Sequence, residues 1–497
     1  MSRGNPSQGT AAAGEAPGTT TADLDSAQGM GPVLMMRGIA DGRLQLRALA
    51  AFPDAAPVDR LSTDDGEAAG KTLLHYAGLR VLGYDFSLPL RADASYALGG
   101  ARYPVNAAFA GDLRLAYVSC NGQESGDRKR PLEERNVLWR RVGGQHEAAP
   151  FHLLLQGGDQ IYADEVADLH KLARHRPLAA WAYKVEADVA AVREAMRREL
   201  YRRYLEVYRQ PQVAWMFARV PSLAIWDDHD ICDGWGSLPP QRLDSPLGRA
   251  VFEVAREFYL LFQHGCVAPD YPAGFADRSG ASLGWHIRLP GLDLVAPDLR
   301  SERRPNRVMG EPGWTVLREA LAAAGPGRIL LLSSVPALGP RLSWVEAAMR
   351  LTFRLEKYED DLRDQWQSRS HRQEWRRLLE LLIETHSRDA TPVTVLSGEI
   401  HLATRGTLET ARGPLHQLVA SGITHPAPLS AYAFGLGLLS RFGSSPLPGH
   451  PIRLLPLPGQ RAIYTPQRNY LILERRGDRW QAWWELEHGG PTPPLDL

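Results

Sequence analysis

Short, nearly continuous apolar runs separated by longer stretches of helical pattern dominate the chain after Gly111. The runs read LRLAYVS, FHLLLQ, SLAIW, RILLLSS, PVTVLS and HQLVAS. Strands that are buried on both faces have this composition, because neither face needs polar side chains. Strands that alternate with helices are typical of α/β proteins. The pattern therefore predicts an α/β domain over residues 111–497.

Two stretches between these runs, 178–209 and 345–387, are dense in Arg and Glu and carry Leu, Trp and Tyr at helical spacing. They predict amphipathic helical insertions that cover the sheet and keep their charged faces in solvent. Near the C-terminus, YLILERRGDRWQAWWELEH predicts a β-hairpin that turns at Gly477-Asp478. Its tryptophans fit packing better than a ligand cage.

The first part of the chain has a different texture. Residues 1–32 are rich in Gly, Ala, Ser, Thr and Pro and predict a disordered tail, because they offer little apolar surface to offset the entropy of ordering. Residues 33–110 alternate short apolar runs with Gly, Pro and Asp and predict a small β-rich N-terminal module. Within it, GEAAGKT at 66–72 resembles a phosphate-binding loop but is one residue too short and follows no buried strand, which favours an ordinary turn.

Composition and charge exclude several classes of protein. The 497 residues include 57 Lys plus Arg and 57 Asp plus Glu, so net charge gives no argument for binding nucleic acid or anionic membranes. Three cysteines cannot form a disulfide framework for a chain of this size. No apolar run reaches the roughly 18 residues of a membrane span. The N-terminus shows neither a signal peptide nor a twin-arginine motif, and we therefore expect a cytoplasmic protein.

Four of the predicted strands end abruptly at residues that can bind metal or move protons. In open α/β sheets, ligands bind where strands end at the carboxyl edge, so we expect these endings to converge on one crevice. The endings are Cys120-Asn121, Asp159 with Tyr162, Asp227-Asp228-His229-Asp230, and Glu399 with His401.

A crevice with four or five carboxylates calls for cations, because a desolvated and unpaired carboxylate costs several kcal/mol. Carboxylate oxygens suit Ca²⁺, Mg²⁺ or Mn²⁺, whereas a thiolate with a phenolate and an imidazole favours a transition metal such as iron. Each ending alone also has an ordinary explanation. A single Cys after a buried strand is more often a core residue, and a lone Asp after Gly-Gly is more often a turn or a helix cap. Asp-Asp-His-Asp directly after an apolar strand is harder to explain without a bound ligand.

In their order along the chain, LAYVSCNG, LLLQGGDQIYADEV, LAIWDDHDICDGWG and TVLSGEIH resemble the motifs of the alkaline phosphatase D-like (PhoD-like) branch of the calcineurin-type metallophosphatases. VAPDLRSERR, GEPGWTVLREAL and RILLLSSVPAL resemble its middle region, so the resemblance runs from about residue 111 to about 425. It implies a metallophosphatase-type α/β sandwich, and a β-rich module in front of it is also typical of the family.

The resemblance further implies a role for each strand ending. Asp159 corresponds to the carboxylate that bridges two metal ions, and His229 to the imidazole near the leaving group. The remaining residues correspond to metal ligands: Cys120, Tyr162 and His401 to those of a ferric ion, and Asp228 and Glu399 to those of a second ion. Family members are usually described with Fe³⁺ and Ca²⁺, and Mn²⁺ or Mg²⁺ would also suit the second site.

The chain departs from the family pattern in three places. Asn121 stands where members commonly have Gln, Glu399 stands where they have Asp, and the twin-arginine signal of many members is missing. Asn121 is a candidate substrate contact. Arg300 in PDLR is another, although a structural bridge from Arg300 to Asp298 is the favoured interpretation, since most arginines in so Arg-rich a chain are structural.

These observations predict a phosphoesterase that hydrolyses small-molecule or lipid-derived phosphomono- or phosphodiesters with a metal-bound hydroxide at a bimetal site, with Asp228 and His229 in catalytic positions. Two alternatives stay open. Gly280-Ala281-Ser282-Leu283-Gly284 fits the nucleophile elbow of a serine hydrolase, although a strand-like run follows the serine where an elbow needs a helix. The same ligand set could also belong to a non-catalytic binding protein stabilised by metal.

Overall fold

The structure is a computed structural model that describes residues 28–123, 127–164, 186–340, 364–441 and 443–497. Over these ranges the chain forms a mixed α/β fold with three β-sheets. Most of the predicted disordered tail, residues 1–27, lies outside the described residues, and the first strand begins at Met30.

The strands are numbered in chain order. The first twelve are β1 (Met30–Ala40), β2 (Arg43–Pro53), β3 (Leu61–Thr63), β4 (Gly66–Ala68), β5 (Lys71–Tyr76), β6 (Leu79–Pro89), β7 (Ala94–Leu98), β8 (Ala101–Val105), β9 (Leu113–Val118), β10 (Leu153–Gly157), β11 (Ser222–Ile225) and β12 (Trp285–Leu289). The others are β13 (Leu292–Ala296), β14 (Arg328–Ser333), β15 (Val393–Ser397), β16 (Thr404–Thr410), β17 (Gly413–Val419), β18 (Ser444–Leu447), β19 (His450–Leu455), β20 (Asn469–Arg476), β21 (Arg479–Leu486), β22 (Gly490–Pro491) and β23 (Leu495–Asp496).

The α-helices are numbered in the same way. They are α1 (Leu132–Arg135), α2 (Val137–Ala148), α3 (Glu186–Tyr208), α4 (Pro211–Phe217), α5 (Pro240–Leu243), α6 (Pro246–Phe258), α7 (Glu311–Ala323), α8 (Arg372–Ser387) and α9 (Ser430–Ser440). A π-helical turn, Tyr259–Gln263, continues directly from α6.

The six buried strands predicted from the sequence all form, but they divide between two sheets. The first sheet has the order β22-β21-β20-β9-β10-β11-β1-β2-β6-β5 with β23 beside β21, and β9, β10 and β11 are parallel within it. The second sheet has the order β12-β13-β14-β15-β17-β16-β19-β18, and β13, β14, β15 and β17 are parallel. The apolar runs indicate strands buried on both faces, but they do not encode which strands are neighbours.

The second sheet packs on both of its faces, which explains the apolar runs. Leu330 and Leu332 of β14 lie in the same core cluster as Leu154 of the first sheet. Ile329 and Leu331 point to the opposite face and pack in a second cluster with residues of α7 and α8. The two sheets are also joined by hydrogen bonds, since the indole N–H of Trp285 donates to the carbonyl of Ala224 at 2.8 Å, and that of Trp484 to the carbonyl of Val419 at 2.8 Å.

The region predicted as a β-rich N-terminal module joins the first sheet. Strands β1, β2, β5 and β6 belong to that sheet, and β1 runs parallel to β11 with Met35 opposite Ser222. The third sheet, with the order β4-β3-β7-β8, lies entirely within the same region. The division into a module at 33–110 and a domain at 111–497 therefore stays a prediction. GEAAGKT lies in β4 and β5, and no helix follows it, so the phosphate-loop alternative is wrong.

The described parts of the two predicted insertions contain helices α3 and α8, and the other residues of both insertions, 178–185 and 345–363, lie outside the described ranges. Helix α8 begins only at Arg372, because residues 364–371 form short turns that enter the core. The hairpin prediction is confirmed, since β20 pairs antiparallel with β21 across Gly477-Asp478. Its Trp484 is fully buried in the packing between the sheets.

Candidate active site

The four predicted strand ends meet at one place, those of β9, β10 and β11 from the first sheet and that of β15 from the second, and the end of β17 in the second sheet joins them. The main-chain N–H of Cys120, after β9, donates to the carbonyl of Gly158 at 3.1 Å, and that loop follows β10. The N–H of His425, after β17, donates to the carbonyl of Cys120 at 3.2 Å. The strand ends thus converge, although two sheets supply them where the sequence suggested one.

Two glycines permit this close approach. A Cβ at Gly158, whose φ is +108°, would lie 2.8 Å from the Cβ of Asp227. A Cβ at Gly398 would collide with the side chain of Ser119. The motifs GGD and SGE therefore carry glycine for steric reasons, and the acidic residue after each glycine is delivered directly into the junction.

The residues at the strand ends have strained backbones. Cys120, Asp159, Glu399 and His401 have φ angles of +52°, +54°, +64° and +52°. Residues other than glycine rarely adopt positive φ, and such strain is concentrated at functional sites. All four of these residues come from the set singled out in the sequence.

The polar centre of the junction is a compact group of oxygen, nitrogen and sulfur atoms. One potential ligand atom from each of Asp159, Asp228 and His229 lies within 4.8 Å of the others. The Sγ of Cys120 lies 3.4 Å from Oδ2 of Asp159 and also accepts a hydrogen bond from Ser421 Oγ at 3.1 Å. Oδ1 of Asp159 is buried and has no hydrogen-bond partner among the described residues.

Stacked rings form one wall of this centre. The ring of Tyr162 lies between those of His229 and His425, with centroid distances of 4.3 and 5.2 Å, and His425 stacks on His401 at 3.7 Å. The Tyr162 hydroxyl and the His401 Nδ1 are buried and make no hydrogen bond within the described part of the chain. The ring stack therefore connects the strand ends of the two sheets. It also contains two atoms, the Tyr162 hydroxyl oxygen and His401 Nδ1, that could bind a metal ion.

His229 is oriented by a carboxylate that the sequence analysis did not single out. Its Nδ1 lies 2.8 Å from Oδ2 of Asp164, and the other oxygen of Asp164 accepts the N–H of Asp233 at 2.6 Å. This contact fixes the imidazole ring and leaves Nε2 for other partners. Burial lowers the pKa of His229, but the charges of Asp164 and Asp228 outweigh burial and raise it well above its usual value.

Asp230 has a structural function within Asp-Asp-His-Asp. Its carboxylate accepts the N–H of Asp159 at 2.9 Å, the N–H groups of the next two residues at 3.1 and 3.3 Å, and the N–H of Asp227 at 2.9 Å. The amide of Gln263 in the π-helical turn donates to it at 2.9 Å. Asp230 thereby holds the loop after β10 against the loop after β11, which aims Asp159 and Asp228 at a common point.

Arg300 is fully buried and supplies positive charge beside this centre. Its guanidinium pairs with Asp227, with Asp228 at 3.4 Å and with Asp364 at 2.6 Å. The expected partner Asp298 is wrong, because the Asp298 carboxylate accepts main-chain N–H groups and the indole N–H of Trp226 at 2.9 Å. Arg300 is a structural bridge as favoured, but it bridges three other carboxylates.

Asp364 is held by two arginines. Arg303 contacts it at 3.0 Å and Arg300 at 2.6 Å, and the Ser237 hydroxyl donates to it at 2.7 Å. Burial raises the pKa of Asp364, but the two guanidinium groups outweigh burial and lower it. In Asp227, burial raises the pKa to about 6 although Arg300 acts against the rise.

The remaining acidic groups lack such compensation. Burial, together with neighbouring carboxylates, raises the pKa of Asp159 and Glu399 well above the usual range. Burial and the charge of Asp159 likewise raise the pKa of the Cys120 thiol, and burial lowers that of His401. Each of these shifts favours the neutral group over the ion, so without added positive charge the cluster holds protons that a metal ion would displace.

The two candidate ligand and substrate positions that depart from the family pattern are also placed. Both carboxylate oxygens of Glu399 accept the amide N–H of Gln365, at 2.7 and 2.8 Å. The Asn121 carbonyl accepts the Trp139 indole N–H at 2.9 Å and the Thr424 hydroxyl at 3.2 Å. Asn121 is buried and these bonds engage its acceptor, so in this structure it supports the loops.

Ser282 lies in a local context that does not suit a nucleophile elbow. It is fully buried in a turn in which the carboxylate of Asp277 accepts its N–H at 2.8 Å. Strand β12 begins three residues later, whereas a nucleophile elbow leads from a strand into a helix. The local structure gives no support to the serine hydrolase alternative.

A cavity of about 530 Å³ opens onto the centre. Asp228, His229, Glu399 and His401 are among the residues that line it, and so is the apolar Leu429. This volume falls within the ordinary range of small-molecule sites.

Several residues of the site were not singled out from the sequence. Asp164 and Asp230 lie inside the quoted motifs, and their acidity was a usable signal. Asp364 and Gln365 lie in a charged stretch that the sequence assigned to a solvated helix, although Asp364 is buried. His425 follows the HQLVAS strand, as the other site residues follow theirs, and that position was the signal for it.

With this geometry established, comparison with known proteins assigns a family. The family model described as PhoD related phosphatase matches residues 95–358, more than half of the 497 residues. The chain belongs to the PhoD-related phosphatase family. The PhoD-like resemblance seen in the motifs is thereby confirmed.

Individual relatives are distant. A protein of Saccharomyces cerevisiae described as uncharacterized protein YGR266W is 25% identical over 434 residues, which is 72% of this chain, and the match spans 60% of the length of that relative. A solved structure titled "Structure of PhoD" has a TM-score of 0.57 at 12% identity, covering 96% of this chain and 90% of that one. That similarity shows the fold of this PhoD-related chain. A structure titled "GAP50 the anchor in the inner membrane complex of Plasmodium" has a TM-score of 0.40 at 10% identity, covering 78% of this chain and 89% of that one, which is too low a score to indicate the same fold.

Among the described helices of this PhoD-related protein, none is both long and apolar enough to span a membrane. A cytoplasmic location stays a prediction.

Proposed function

We propose that this PhoD-related protein hydrolyses phosphomonoesters or phosphodiesters at the junction of the four strand ends, with two metal ions bound there. The observation that supports the proposal is a set of buried side-chain atoms at this junction that could bind metal and have no hydrogen-bond partner. Asp159 Oδ1, the Tyr162 hydroxyl and His401 Nδ1 are such atoms among the described residues. Buried polar atoms are normally hydrogen-bonded, and a bound ion explains such atoms that have no other partner.

The donor set fits two kinds of ion. Cys120, Tyr162 and His401 would hold a ferric ion, because thiolate, phenolate and imidazole suit a transition metal. Asp228 and Glu399 would hold Ca²⁺, or Mn²⁺ or Mg²⁺, since carboxylate oxygens suit hard cations. Asp159, with atoms close to both groups, would bridge the two ions. Raised pKa values at Cys120 and Tyr162, caused by burial and by neighbouring acidic groups, mean that both would release protons when metal binds.

When bound, the metals would lower the pKa of a coordinated water and neutralise phosphate charge. The protein's own residues have the remaining tasks. His229, held by Asp164 through Nδ1, would give a proton from Nε2 to the departing oxygen, and the charge of Asp164 favours the protonated ring. Arg300 is engaged by Asp227, Asp228 and Asp364, so we assign it to positioning Asp228 and not to contact with phosphate.

Hydrolysis of matched chromogenic esters tests this function. Purified protein is assayed with 4-nitrophenyl phosphate and bis(4-nitrophenyl) phosphate, as isolated, after removal of metal by a chelator and after return of single metals. We expect hydrolysis of at least one ester, its loss on chelation and its return with metal. Hydrolysis that persists in fully metal-free protein would refute the proposal.

The identity of the first metal has its own test. A ferric ion bound by Cys120 and Tyr162 gives a visible charge-transfer absorption that disappears when iron is removed, and elemental analysis then reports iron in the coloured protein. Active protein that is colourless and free of iron would refute the ferric assignment while leaving the phosphoesterase proposal standing.

A further inference from the structure

The cavity that contains the acidic centre has a second wall of a different character. Its lining includes the apolar or aromatic side chains of Leu338, Leu429, Tyr432, Leu436 and Tyr464. The same cavity is lined by polar or charged groups of the centre, among them Asp228 and Glu399. One cavity thus joins a site for a phosphate group to an apolar surface of several side chains.

Most of this wall belongs to helix α9 and the residue before it. From Pro426 to Ser440 the chain contains no charged residue. Side chains at positions 432, 436 and 440 follow one another at intervals of four residues and share one helix face. That face turns toward the protein, since Ser440 Oγ donates a hydrogen bond to the hydroxyl of Tyr464 at 3.3 Å.

Part of the wall is open to solvent, although Leu338 and Tyr464 are buried. Leu429 is 81% exposed and Tyr432 is 43% exposed, while Leu436 is half-buried. Apolar area of this kind is stabilised by contact with another apolar group, at about 25 cal/mol per Å² removed from water. Contiguous exposed apolar patches on soluble proteins often mark binding sites.

We propose that the substrate of this enzyme is an amphiphilic phosphoester, with an alkyl or aryl group that lies against Leu429, Tyr432 and Leu436 while its phosphate occupies the acidic centre. The proposal rests on the phosphoesterase function proposed above and adds a substrate class to it. The occupant is the substrate itself, because the wall and the acidic centre line the same cavity and a single molecule can contact both.

The amphiphile can come from two sources, free in solution or in a lipid bilayer. The opposite face of α9 bears on this choice. Phe434 and Leu438 are 73% and 50% exposed and do not line the cavity. At about 100° per residue, Phe434 lies about 200° around the helix from Tyr432 and from Leu436, and Leu438 lies about 200° from Leu436 and about 240° from Tyr432. A bilayer source would use this outer face as well, whereas a free amphiphile would not.

A chain-length series tests the substrate class. Alkyl phosphates and alkyl 4-nitrophenyl phosphates with methyl, butyl and octyl groups are compared below their micelle concentrations, with phosphate and nitrophenol release as readouts. Because a buried methylene contributes about 0.8 kcal/mol, equivalent to about fourfold in kcat/KM, we expect the octyl ester to exceed the methyl ester at least tenfold. Similar kcat/KM for methyl and octyl esters would overturn the inference and leave the phosphoesterase function intact, and absence of hydrolysis of every ester would overturn both.

Variants of α9 test whether the apolar wall causes the chain-length preference in kcat/KM. Leu436→Ser and, independently, Tyr432→Ser should reduce the octyl-to-methyl ratio of kcat/KM at least fivefold. The control, Phe434→Ser, removes an exposed apolar group from the same helix outside the cavity and should keep the wild-type ratio for monomeric esters. An equal reduction in Phe434→Ser, or an unchanged ratio in both cavity variants, would overturn the proposal.

An assay with lipid vesicles then distinguishes the two sources of the amphiphile. Vesicles of phosphatidylcholine containing dioleoyl phosphatidic acid are offered to wild type and to Phe434→Ser, with phosphate release as the readout. Hydrolysis by the wild type that falls in Phe434→Ser supports the proposal with a bilayer source. No hydrolysis of vesicles, together with the chain-length preference for monomeric esters, supports it with a free amphiphile.

Discussion

Two buried acidic regions lie side by side in this protein and differ in how their negative charge is compensated. Around Asp364, the chain supplies its own cations, since Arg300 and Arg303 contact this carboxylate at 2.6 and 3.0 Å. Around Asp159, no described Lys or Arg takes part, and Oδ1 of that residue has no hydrogen-bond partner among the described residues. Both carboxylates are almost completely buried, so exposure to water does not explain the difference.

The pKa directions express the same contrast. Burial raises the pKa of Asp364, but the two arginines lower it overall, so this group is ionised in the folded protein. Burial and nearby carboxylates raise the pKa of Asp159 and of Glu399. A carboxylate cluster whose positive charge is not provided by the chain has to obtain it from bound ions or from protons. The chain itself thus supplies the positive charge in the arginine-paired region, whereas the Asp159 region is the open region at which we propose that metal and substrate bind.

The largest predicted effect comes from removing the negative charge of Asp159 in the open region. Asp159→Asn keeps the shape of the side chain and removes the charge that would bridge two ions, so we expect hydrolysis to fall by about 10³-fold or more. The fold should persist, because an amide at this buried position is cheaper to desolvate than a carboxylate. Hydrolysis rates and circular dichroism check both statements, with the exposed Asp478→Asn as the matched control. Loss of folding without any effect of metal on the wild type would favour a purely structural ion.

Removing the charge of Asp364, in the arginine-paired region, should instead lower the free energy of unfolding. Asp364→Asn leaves Arg300 and Arg303 buried without their shared carboxylate, and breaking a buried ion pair typically costs about 3–5 kcal/mol. Urea unfolding should show this loss in the free energy of unfolding, in metal-loaded and metal-free protein alike. If Asp364→Asn were as stable as wild type while Asp159→Asn unfolded, the contrast between the two regions would be reversed.

His229 lies at the edge of the open region and has a carboxylate partner of its own in Asp164. We expect His229→Ala to retain bound metal and to lose at least about tenfold in hydrolysis, because a proton donor for the departing oxygen is removed. The loss should shrink for esters with a nitrophenol leaving group, which needs little protonation, relative to an alkyl ester. Turnover equal to wild type on both esters would remove His229 from the mechanism.

The last effect concerns pH in metal-stripped protein. A carboxylate whose pKa is raised by folding stabilises the fold fully below its unfolded value of about 4, and that contribution is lost as pH rises through the folded pKa. Asp159 and Glu399 have raised pKa values, so the free energy of unfolding should decline above about pH 4, by on the order of 1 kcal/mol per pH unit for each such group.

Glu399→Gln should flatten this decline. Asp364 contributes in the opposite sense, since its lowered pKa gives stability that is lost as pH falls below about 4. Urea unfolding of stripped wild type and Glu399→Gln across this range is the measurement. A slope that Glu399→Gln leaves unchanged would assign the pH dependence to other groups.

Much of the fold follows from the sequence. Apolar runs such as FHLLLQ and PVTVLS predict buried strands because a strand enclosed on both faces carries no polar side chains, and β10 and β15 are such strands. The partition into two sheets could not be predicted, because an apolar run does not specify its neighbour. Cys120, Asp159 and His401 were accessible to sequence reasoning because each directly follows a strand.

The supporting groups were harder to predict because they depend on contacts that are distant in the chain. Asp364 lies in a stretch whose charge density indicates a solvated helix, and only the fold brings it to Arg300, 64 positions earlier, and Arg303. The partner of Arg300 was mistaken for the same reason, since Asp298 is close in sequence but is occupied by main-chain N–H groups. The exposed helix α9 is apolar on nearly all sides, a pattern that does not distinguish a core helix from a wall of a cavity.

The most direct test of the open region is equilibrium metal binding. Metal-stripped wild type, Asp159→Asn and the control Asp478→Asn are titrated with Mn²⁺ in a calorimeter at one pH and buffer. We expect tight binding to the wild type and to Asp478→Asn, with release of protons, and loss of that binding in Asp159→Asn. Equal binding by Asp159→Asn and wild type, or no binding by the wild type, would contradict the proposed metal site.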